Sequence, residues 1–315
     1  MKRAFIFPGQ GSQSIGMGAA LFENFSSASL VLEEVSDALS QDMKDLILNG
    51  PESDLNLTEN TQPALMAVSM AVVRVLEKDF GINLAEHATY AAGHSLGEYS
   101  ALTAMGSFSI SQCAKLLKLR GSEMQKAVPV GQGKMAAIIG MEMDQVNQIA
   151  KEAAEVSNAV CTSANDNSPG QVVISGASAA IEKAVELASA KGAKRALILP
   201  VSAPFHCPMM QPAADAMQAA LEEADIKDPA LPIIANVTAK PTQDADEIRN
   251  LLVEQVTGMV RWTESVTYMH EQEIEQTVEL GAGKVLTGLN RRIAKEIKGV
   301  QLLEPADIEA FAQSL

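Results

Sequence analysis

The chain has 315 residues, of which 47% are hydrophobic and 20% are charged, and its formal net charge is −15. This composition excludes a disordered chain and predicts a globular protein that is large enough to bury a substantial core. The excess of 39 acidic residues over 24 basic ones argues against general nucleic-acid binding, which needs a basic face.

The first third of the chain predicts short strands that alternate with helices. The apolar run 3–7 ends at Pro8-Gly9, which indicates a buried strand followed by a loop; the run is too short for a signal-peptide core. The most apolar helical stretch, 63–76, is shorter than the roughly 20 residues of a membrane span. Helices are predicted at about 28–48, 63–79, 95–105 and 109–126, with a strand at 87–93.

The middle of the chain has a different rhythm. Strands are predicted at 134–141, 159–164, 171–176 and 195–199, with helices at 144–155 and 178–192. The order βαββαβ is that of a ferredoxin-like unit. We therefore predict a ferredoxin-like small domain at 128–200, inserted into a large α/β domain that residues 1–127 and 201–315 form together.

The last third returns to alternating helices and strands. Helices are predicted at about 208–224, 244–256, 262–272 and 284–297, and strands at 233–236 and 278–281. Such alternation indicates a mostly parallel sheet covered by helices on both faces. The predicted fold class is thus α/β, with a hydrolase-like large domain.

Three cysteines, Cys113, Cys161 and Cys207, are odd in number and widely spaced. They form neither a metal-type pair nor a disulfide framework, so we expect unreactive thiols in a reducing cytoplasm. We predict no metal site and no cofactor.

The strongest chemical signal is Gly93-His94-Ser95-Leu96-Gly97, a G-x-S-x-G sequence between a predicted strand and a predicted helix. In such a turn the serine is strained, so small residues flank it, and its hydroxyl lies at a helix N-terminus that favours negative charge. The pattern predicts that Ser95 is a nucleophile. The alternative is a chance match, since glycine and serine are common.

A serine hydroxyl is a weak nucleophile that needs a base. Among four histidines, His206 lies in a loop between a predicted strand and a predicted helix, where catalytic residues concentrate. His94 adjoins Ser95, but neighbours on a tight turn point in different directions. From the residues alone, His206 is as compatible with a structural histidine as with a base.

Five blocks, in order from residue 4 to about 290, resemble the malonyl-CoA:acyl-carrier-protein transacylase family. They are Pro8 to Gln13, Gly93 to Tyr99, Asn165 to Gly176, Val201 to Met210, and Gly281 to Leu286. The resemblance implies an acyltransferase that moves a malonyl group from malonyl-CoA to the phosphopantetheine thiol of acyl carrier protein. A malonyl-serine intermediate, ping-pong kinetics and a role in fatty-acid synthesis are implied with it.

The resemblance also implies a role for each matching residue. Ser95 would be the acylated nucleophile and His206 its base. The backbone carbonyl of Gln255 would orient the histidine in place of a carboxylate, and the backbone N–H groups of Gln10 and Leu96 would form the oxyanion hole.

Three side chains are implied to bind substrate. Position alone favours a surface residue for Arg120, but the resemblance implies that it pairs with the free carboxylate of the malonyl group, which suits a planar guanidinium. His94 is also implied to bind substrate. Phe205 resembles the malonyl-selective version of the histidine loop, with a packing aromatic as the alternative.

The implied protein partner is acyl carrier protein, which is acidic as a family. Because this chain is acidic too, we expect a local basic patch to dock the carrier, with a solvated surface as the alternative. The two patches considered are Lys284, Arg291, Arg292, Lys295 and Lys298, placed on a predicted C-terminal helix, and Lys191, Lys194 and Arg195. We expect a monomer that binds neither membrane nor nucleic acid.

Three alternative functions remain compatible with the sequence. A serine esterase or thioesterase shares the G-x-S-x-G turn, but it usually has an acidic third triad member and uses water as acceptor. An acyltransferase of polyketide assembly would keep the fold and the chemistry. A non-catalytic carrier-binding protein would not need Ser95, His206 and Arg120 together.

Overall fold

The computed structural model describes residues 1–315 and contains eleven strands and fourteen α-helices. The strands are β1 (Arg3–Phe7), β2 (Tyr90–Gly93), β3 (Gly133–Ile139), β4 (Cys161–Ser168), β5 (Gln171–Ala177), β6 (Arg195–Ile198), β7 (Ile233–Ile234), β8 (Pro241–Thr242), β9 (Val260–Arg261), β10 (Gln276–Leu280) and β11 (Lys298–Leu302). The helices up to the end of the first third are α1 (Ala19–Asn24), α2 (Ser26–Leu39), α3 (Met43–Asn49), α4 (Glu52–Leu55), α5 (Thr58–Lys78), α6 (Leu96–Ala104) and α7 (Ile110–Lys126). The later helices are α8 (Met143–Ser157), α9 (Ser178–Ala190), α10 (Gln211–Glu223), α11 (Ala245–Thr257), α12 (Trp262–Glu271), α13 (Val285–Ile293) and α14 (Pro305–Gln313).

The larger sheet has six strands in the order β11-β10-β1-β2-β7-β8. All neighbours are parallel except β7 and β8, which are antiparallel. Because parallel strands end at one edge of a sheet, the segments that follow β1, β2 and β7 meet there. This edge holds the candidate active site.

The smaller sheet has the order β6-β3-β5-β4-β9. Its first four strands come from the βαββαβ run β3-α8-β4-β5-α9-β6 in the ferredoxin-like order, and 14 buried residues form its own core. The predicted fold class is confirmed. The domain boundaries at 128 and 200 stay a prediction, because β9 joins this sheet from the later part of the chain, parallel to β4.

Helix α5 lies at the centre of the main core of 62 buried residues. Nearly all of its side chains are buried, as expected for a helix that is apolar on every side. None of the helices combines enough length and apolar character to span a membrane.

Several predicted element boundaries were wrong for local reasons. The helix predicted at 28–48 is two helices, because Ser40 has a φ of 49° after α2 and Asp42 caps α3 by accepting from the N–H of Asp45. Helix α5 begins at Thr58, before Pro63 rather than at it. The helix predicted at 284–297 ends at Ile293. Strand β11 and helix α14 were not predicted.

Candidate active site

Ser95 lies in a strained turn between β2 and α6. Its φ is 52° and its ψ is −110°, a conformation that L residues rarely adopt. A Cβ on Gly93 would lie 1.9 Å from the backbone of Gly97, and a Cβ on Gly97 would lie 2.2 Å from the Phe7 carbonyl oxygen. The two glycines are therefore required by close backbone packing, and they bring the serine against the end of β1.

Asn236, two residues after the end of β7, stabilises this turn from the other side. Its Oδ1 accepts from the N–H of Ser95 at 2.7 Å, and its Nδ2 donates to the carbonyl of Gly93 at 2.6 Å. These two bonds hold the turn on both sides of His94. Sequence reasoning missed Asn236, because it lies 141 positions from Ser95 and belongs to no recognised motif.

His206 is positioned to act as the base for Ser95. Its Nε2 lies 2.8 Å from Ser95 Oγ, and its Nδ1 faces the carbonyl oxygens of Gln255 at 2.8 Å and Gly258 at 3.1 Å. Because Nδ1–H donates to carbonyls, Nε2 is the ring nitrogen that is free to accept the serine proton. Burial, and then the positive charge of Arg120, lower the pKa of His206 to about 3. The imidazole is thus neutral near pH 7, as a base must be.

Gln10 and Leu96, the two residues predicted to form the oxyanion hole, line the same cavity as Ser95. Gln10 follows β1, and Leu96 is the first residue of α6; both line the cavity, and neither N–H has a hydrogen-bond partner. The first N–H groups of a helix have no intrahelical acceptor and carry partial positive charge. The pair can stabilise a negatively charged oxygen beside Ser95.

Arg120 is buried, with 1% of its surface exposed, and not on the surface as its position alone suggested. Its NH1 donates to Gln62 Oε1 at 2.8 Å, and its NH2 donates to Gln255 Oε1 at 2.8 Å and to Ser95 Oγ at 3.1 Å. The Nε–H has no acceptor, and no carboxylate forms a salt bridge with the guanidinium. A buried cation without a directly paired anion suits an anionic ligand.

A cavity of about 440 Å³ connects these groups. His94 and Phe205 contribute to its wall; Nε2 of His94 donates to Asn167 Oδ1 of β4 at 2.8 Å, and burial lowers the pKa of His94. The structure therefore brings seven of the eight predicted site residues to one cavity. The eighth, Gln255, lies behind it and contacts His206 and Arg120.

Glu98 is a second titratable group next to the site that sequence reasoning missed. Its Oε2 accepts from Gln255 Nε2 at 2.8 Å and from the N–H of Asn236 at 3.0 Å. Burial raises the pKa of Glu98 to about 7. Glu98 belongs to the block Gly93 to Tyr99 and lies three residues after Ser95, but nothing in the sequence indicated that its side chain is buried against Gln255.

The basic residues predicted to dock a carrier lie outside the cavity. Lys284 precedes α13, Arg291 and Arg292 lie in its last turn, and Lys295 follows its end; all four are exposed. Arg292 also donates to Gln171 Oε1 of β5 at 2.7 Å. The patch is therefore next to the smaller sheet. The prediction that all five residues lie on one helix was wrong, because only Arg291 and Arg292 are on α13 and Lys298 begins β11.

Comparison with known proteins gives consistent matches along the chain. A family model described as an acyl transferase domain matches residues 4–305. The malonyl CoA-acyl carrier protein transacylase of Bacillus subtilis (strain 168) is 41% identical over 314 residues, which cover 100% of this chain and 97% of that protein.

Solved structures also match this chain over its whole length. The acyl-carrier-protein-S-malonyltransferase from Bartonella henselae is 52% identical with a TM-score of 0.97, covering 100% of this chain and 99% of that one. A malonyl-transacylase in complex with a holo type II PKS acyl-carrier protein is 42% identical with a TM-score of 0.96, covering 100% of both chains.

Proposed function

Because the chain belongs to the malonyl-CoA:acyl-carrier-protein transacylase family, we propose that it transfers malonyl groups from malonyl-CoA to acyl carrier protein for fatty-acid synthesis. The observation that carries the substrate choice is Arg120, a buried guanidinium that lies 3.1 Å from Ser95 Oγ and lacks a direct carboxylate partner. An acyl group that ends in a carboxylate supplies that partner, because a short acyl chain on Ser95 can reach the guanidinium of Arg120.

In the first half-reaction Ser95 Oγ attacks the thioester carbonyl carbon and His206 Nε2 takes the hydroxyl proton. The N–H groups of Gln10 and Leu96 hold the resulting oxyanion, and each such donor contributes about 3 kcal/mol to transition-state stabilisation. The C–S bond then breaks, and the imidazolium gives its proton to the departing coenzyme A thiolate.

In the second half-reaction the phosphopantetheine thiol of the carrier gives its proton to His206 and attacks the malonyl-serine ester. The ester C–O bond breaks, and the proton returns from His206 to Ser95 Oγ. Throughout both steps the carbonyl oxygens of Gln255 and Gly258 accept from Nδ1–H and stabilise the imidazolium.

The hydrogen bonds of His206 argue against the hypothesis that the chain is an esterase. Its Nδ1 faces two backbone carbonyls, where a serine esterase usually has a carboxylate. The polyketide reading has one specific observation in its favour, namely the relative in complex with a type II PKS acyl-carrier protein. It requires the same chemistry on this chain and differs only in the carrier that accepts the malonyl group.

The carrier docks, in this proposal, on the exposed basic patch around α13. Positive side chains there can offset the repulsion between an acidic carrier and a chain of net charge −15. The double replacement Arg291→Glu with Arg292→Glu should raise the KM for carrier and leave acylation by malonyl-CoA unchanged. Unchanged carrier kinetics would exclude this patch.

Two further points belong to the same proposal. We place the protein in the cytoplasm, a reducing compartment that suits its three buried free thiols. We also treat 128–200 as a small domain inserted into the larger one, because β3, β4, β5 and β6 pack around a separate core.

Steady-state kinetics with malonyl-CoA and holo carrier protein test the proposal. A shared malonyl-serine intermediate requires parallel double-reciprocal lines when one substrate is varied at fixed levels of the other. Intersecting lines would exclude the shared intermediate. Hydrolysis of malonyl-CoA at the same rate with and without carrier would favour the esterase.

A further inference from the structure

Glu98 is a buried carboxyl group that the mechanism above does not use. It lies in the first turn of α6 with 3% of its surface exposed. Both of its hydrogen bonds, from Gln255 Nε2 and from the N–H of Asn236, go to one carboxyl oxygen. A carboxyl group with so little exposure needs a counter-charge or a proton.

The side-chain amide of Gln255 connects this carboxyl group to Arg120. Its Nε2 donates to Glu98 Oε2 at 2.8 Å, while its Oε1 accepts from Arg120 NH2 at 2.8 Å. Reversing the amide would turn a donor toward the guanidinium and an acceptor toward the carboxylate, so both bonds would be lost. The amide therefore has one orientation, which joins an anion to a cation.

Arg120 is the one charged group that acts on Glu98 across this network. The other titratable groups around it are neutral near pH 7: burial raises the pKa of Tyr99 and of Cys113, and the pKa of His206 is lowered. The polar side chains that face the network from α5 and from the segment after β7 are the uncharged Gln62 and Asn236.

We propose that Glu98 is the counter-ion of Arg120 in the free enzyme, and that it takes up a proton from solvent when the substrate carboxylate binds Arg120. The inference rests on the proposed function, because it requires that the substrate carboxylate binds there. With substrate present, two carboxylates would otherwise act on one buried guanidinium, the substrate directly and Glu98 through Gln255, and like charges at short range are unfavourable. Protonation removes that repulsion, and the neutral carboxyl group keeps a carbonyl oxygen that accepts from Gln255 and Asn236.

The ionisation behaviour of Glu98 agrees with this role. Burial raises its pKa to about 7, so the charged and neutral forms are both accessible near neutrality. The substrate carboxylate adds a second negative charge near Glu98 and raises this pKa further. Binding of a malonyl thioester must therefore weaken as the pH rises above the pKa of free Glu98.

The test uses a Ser95→Ala enzyme, which binds malonyl-CoA without turnover. Calorimetry in buffers of different ionisation enthalpy should detect the uptake of a fraction of a proton per malonyl-CoA bound near pH 7. The Kd for malonyl-CoA should rise roughly tenfold from about pH 6 to about pH 8, which is the largest rise over this range that the titration of one group with a pKa of about 7 can produce. Acetyl-CoA, which has no free carboxylate, should bind without proton uptake and without this dependence on pH.

Two variants in the Ser95→Ala background complete the test. Glu98→Gln keeps an acceptor for Gln255 and Asn236 but cannot ionise, so malonyl-CoA should bind it with neither proton uptake nor the rise in Kd. Glu279→Gln is the matched control, since Glu279 is also fully buried with a raised pKa but contacts Leu286 and Thr287 instead of the site. Its malonyl-CoA binding should follow that of the parent enzyme.

The outcomes separate this inference from the proposed function. Equal affinity for malonyl-CoA and acetyl-CoA would contradict the role of Arg120 itself. A clear preference for malonyl-CoA without proton uptake would overturn the role of Glu98 and leave the proposed function intact. The calorimetry on Ser95→Ala decides the point even if Glu98→Gln fails to fold.

Discussion

Replacement of Arg120 with alanine should remove the selectivity for malonyl over acetyl thioesters. Gln62, Ser95 and Gln255 accept from three of the five N–H donors of the guanidinium, and the other two donors have no protein acceptor. A hydrogen bond to a charged group is worth about 1.5–3 kcal/mol, so two of them give at least about 3 kcal/mol. The ratio of the kcat/KM values should therefore fall by on the order of 100-fold or more.

The assay is coenzyme A release on acylation of the enzyme by malonyl-CoA and by acetyl-CoA, at substrate concentrations far below KM. Arg120→Lys should give an intermediate ratio, because an ammonium keeps the charge but lacks the paired, planar donors. Arg249→Ala is the matched control; Arg249 bonds to backbone carbonyls of Leu221 and Ala224, away from the cavity. An unchanged ratio in Arg120→Ala, or an equal fall in Arg249→Ala, would refute the reasoning.

Four other predictions concern the base and the turn. The variant His206→Asn, chosen because asparagine tolerates the φ of 57° at this position, should lower the acylation rate by roughly 10²–10⁴-fold and leave the melting temperature unchanged. Stopped-flow kinetics and thermal unfolding measure these two quantities. An acylation rate within tenfold of wild type would exclude His206 as the base. Because the pKa of His206 is lowered to about 3, acylation at saturating malonyl-CoA should show no acid limb near pH 6.5, and a limb there would contradict a desolvated base. Below pH 6.5, the usual pKa of a histidine, His206 is protonated in the unfolded chain and neutral in the folded chain. The free energy of unfolding should therefore decrease as the pH falls below 6.5. Gly93→Ala places a Cβ 1.9 Å from the backbone of Gly97 and should lower the free energy of unfolding, measured in urea, by more than about 3 kcal/mol. Gly288→Ala, whose Cβ would have nothing within 4 Å, should leave this free energy unchanged or raise it by up to about 1 kcal/mol. Equal stability of the two variants would refute the packing argument.

The sequence predicted the parts of the fold that depend on local patterns. The apolar run of β1, the βαββαβ order and the turn at Ser95 each lie within short windows, where periodicity and glycine placement are informative. Strand β11 was missed because its sequence, KGVQL, begins with exposed lysine and glycine at the edge of the sheet. Its pairing with β10 supplies the stabilisation that its own residues do not indicate.

The site was predictable in its motif residues and not in the groups that connect them. Asn236, Gln62 and Gly258 reach the site by contacts between distant segments, which one sequence does not reveal. The burial of Arg120, in contrast, had a signal: positions 113, 117, 120 and 124 of α7 form one buried stripe at helical spacing. A Cβ on Gly121 would lie 2.5 Å from Glu59 Cα, so the glycine allows α7 to press against α5 and bring Arg120 beside Gln62.

The central claim is that Ser95 carries the malonyl group between the two thiols. Intact-protein mass spectrometry after brief mixing with malonyl-CoA measures this directly, with Ser95→Ala as the control and holo acyl carrier protein added in a second step. We predict an adduct of one malonyl group on the wild-type chain, none on Ser95→Ala, and transfer of the adduct to the carrier thiol. An adduct that persists in Ser95→Ala, or one that the carrier does not discharge, would contradict the account.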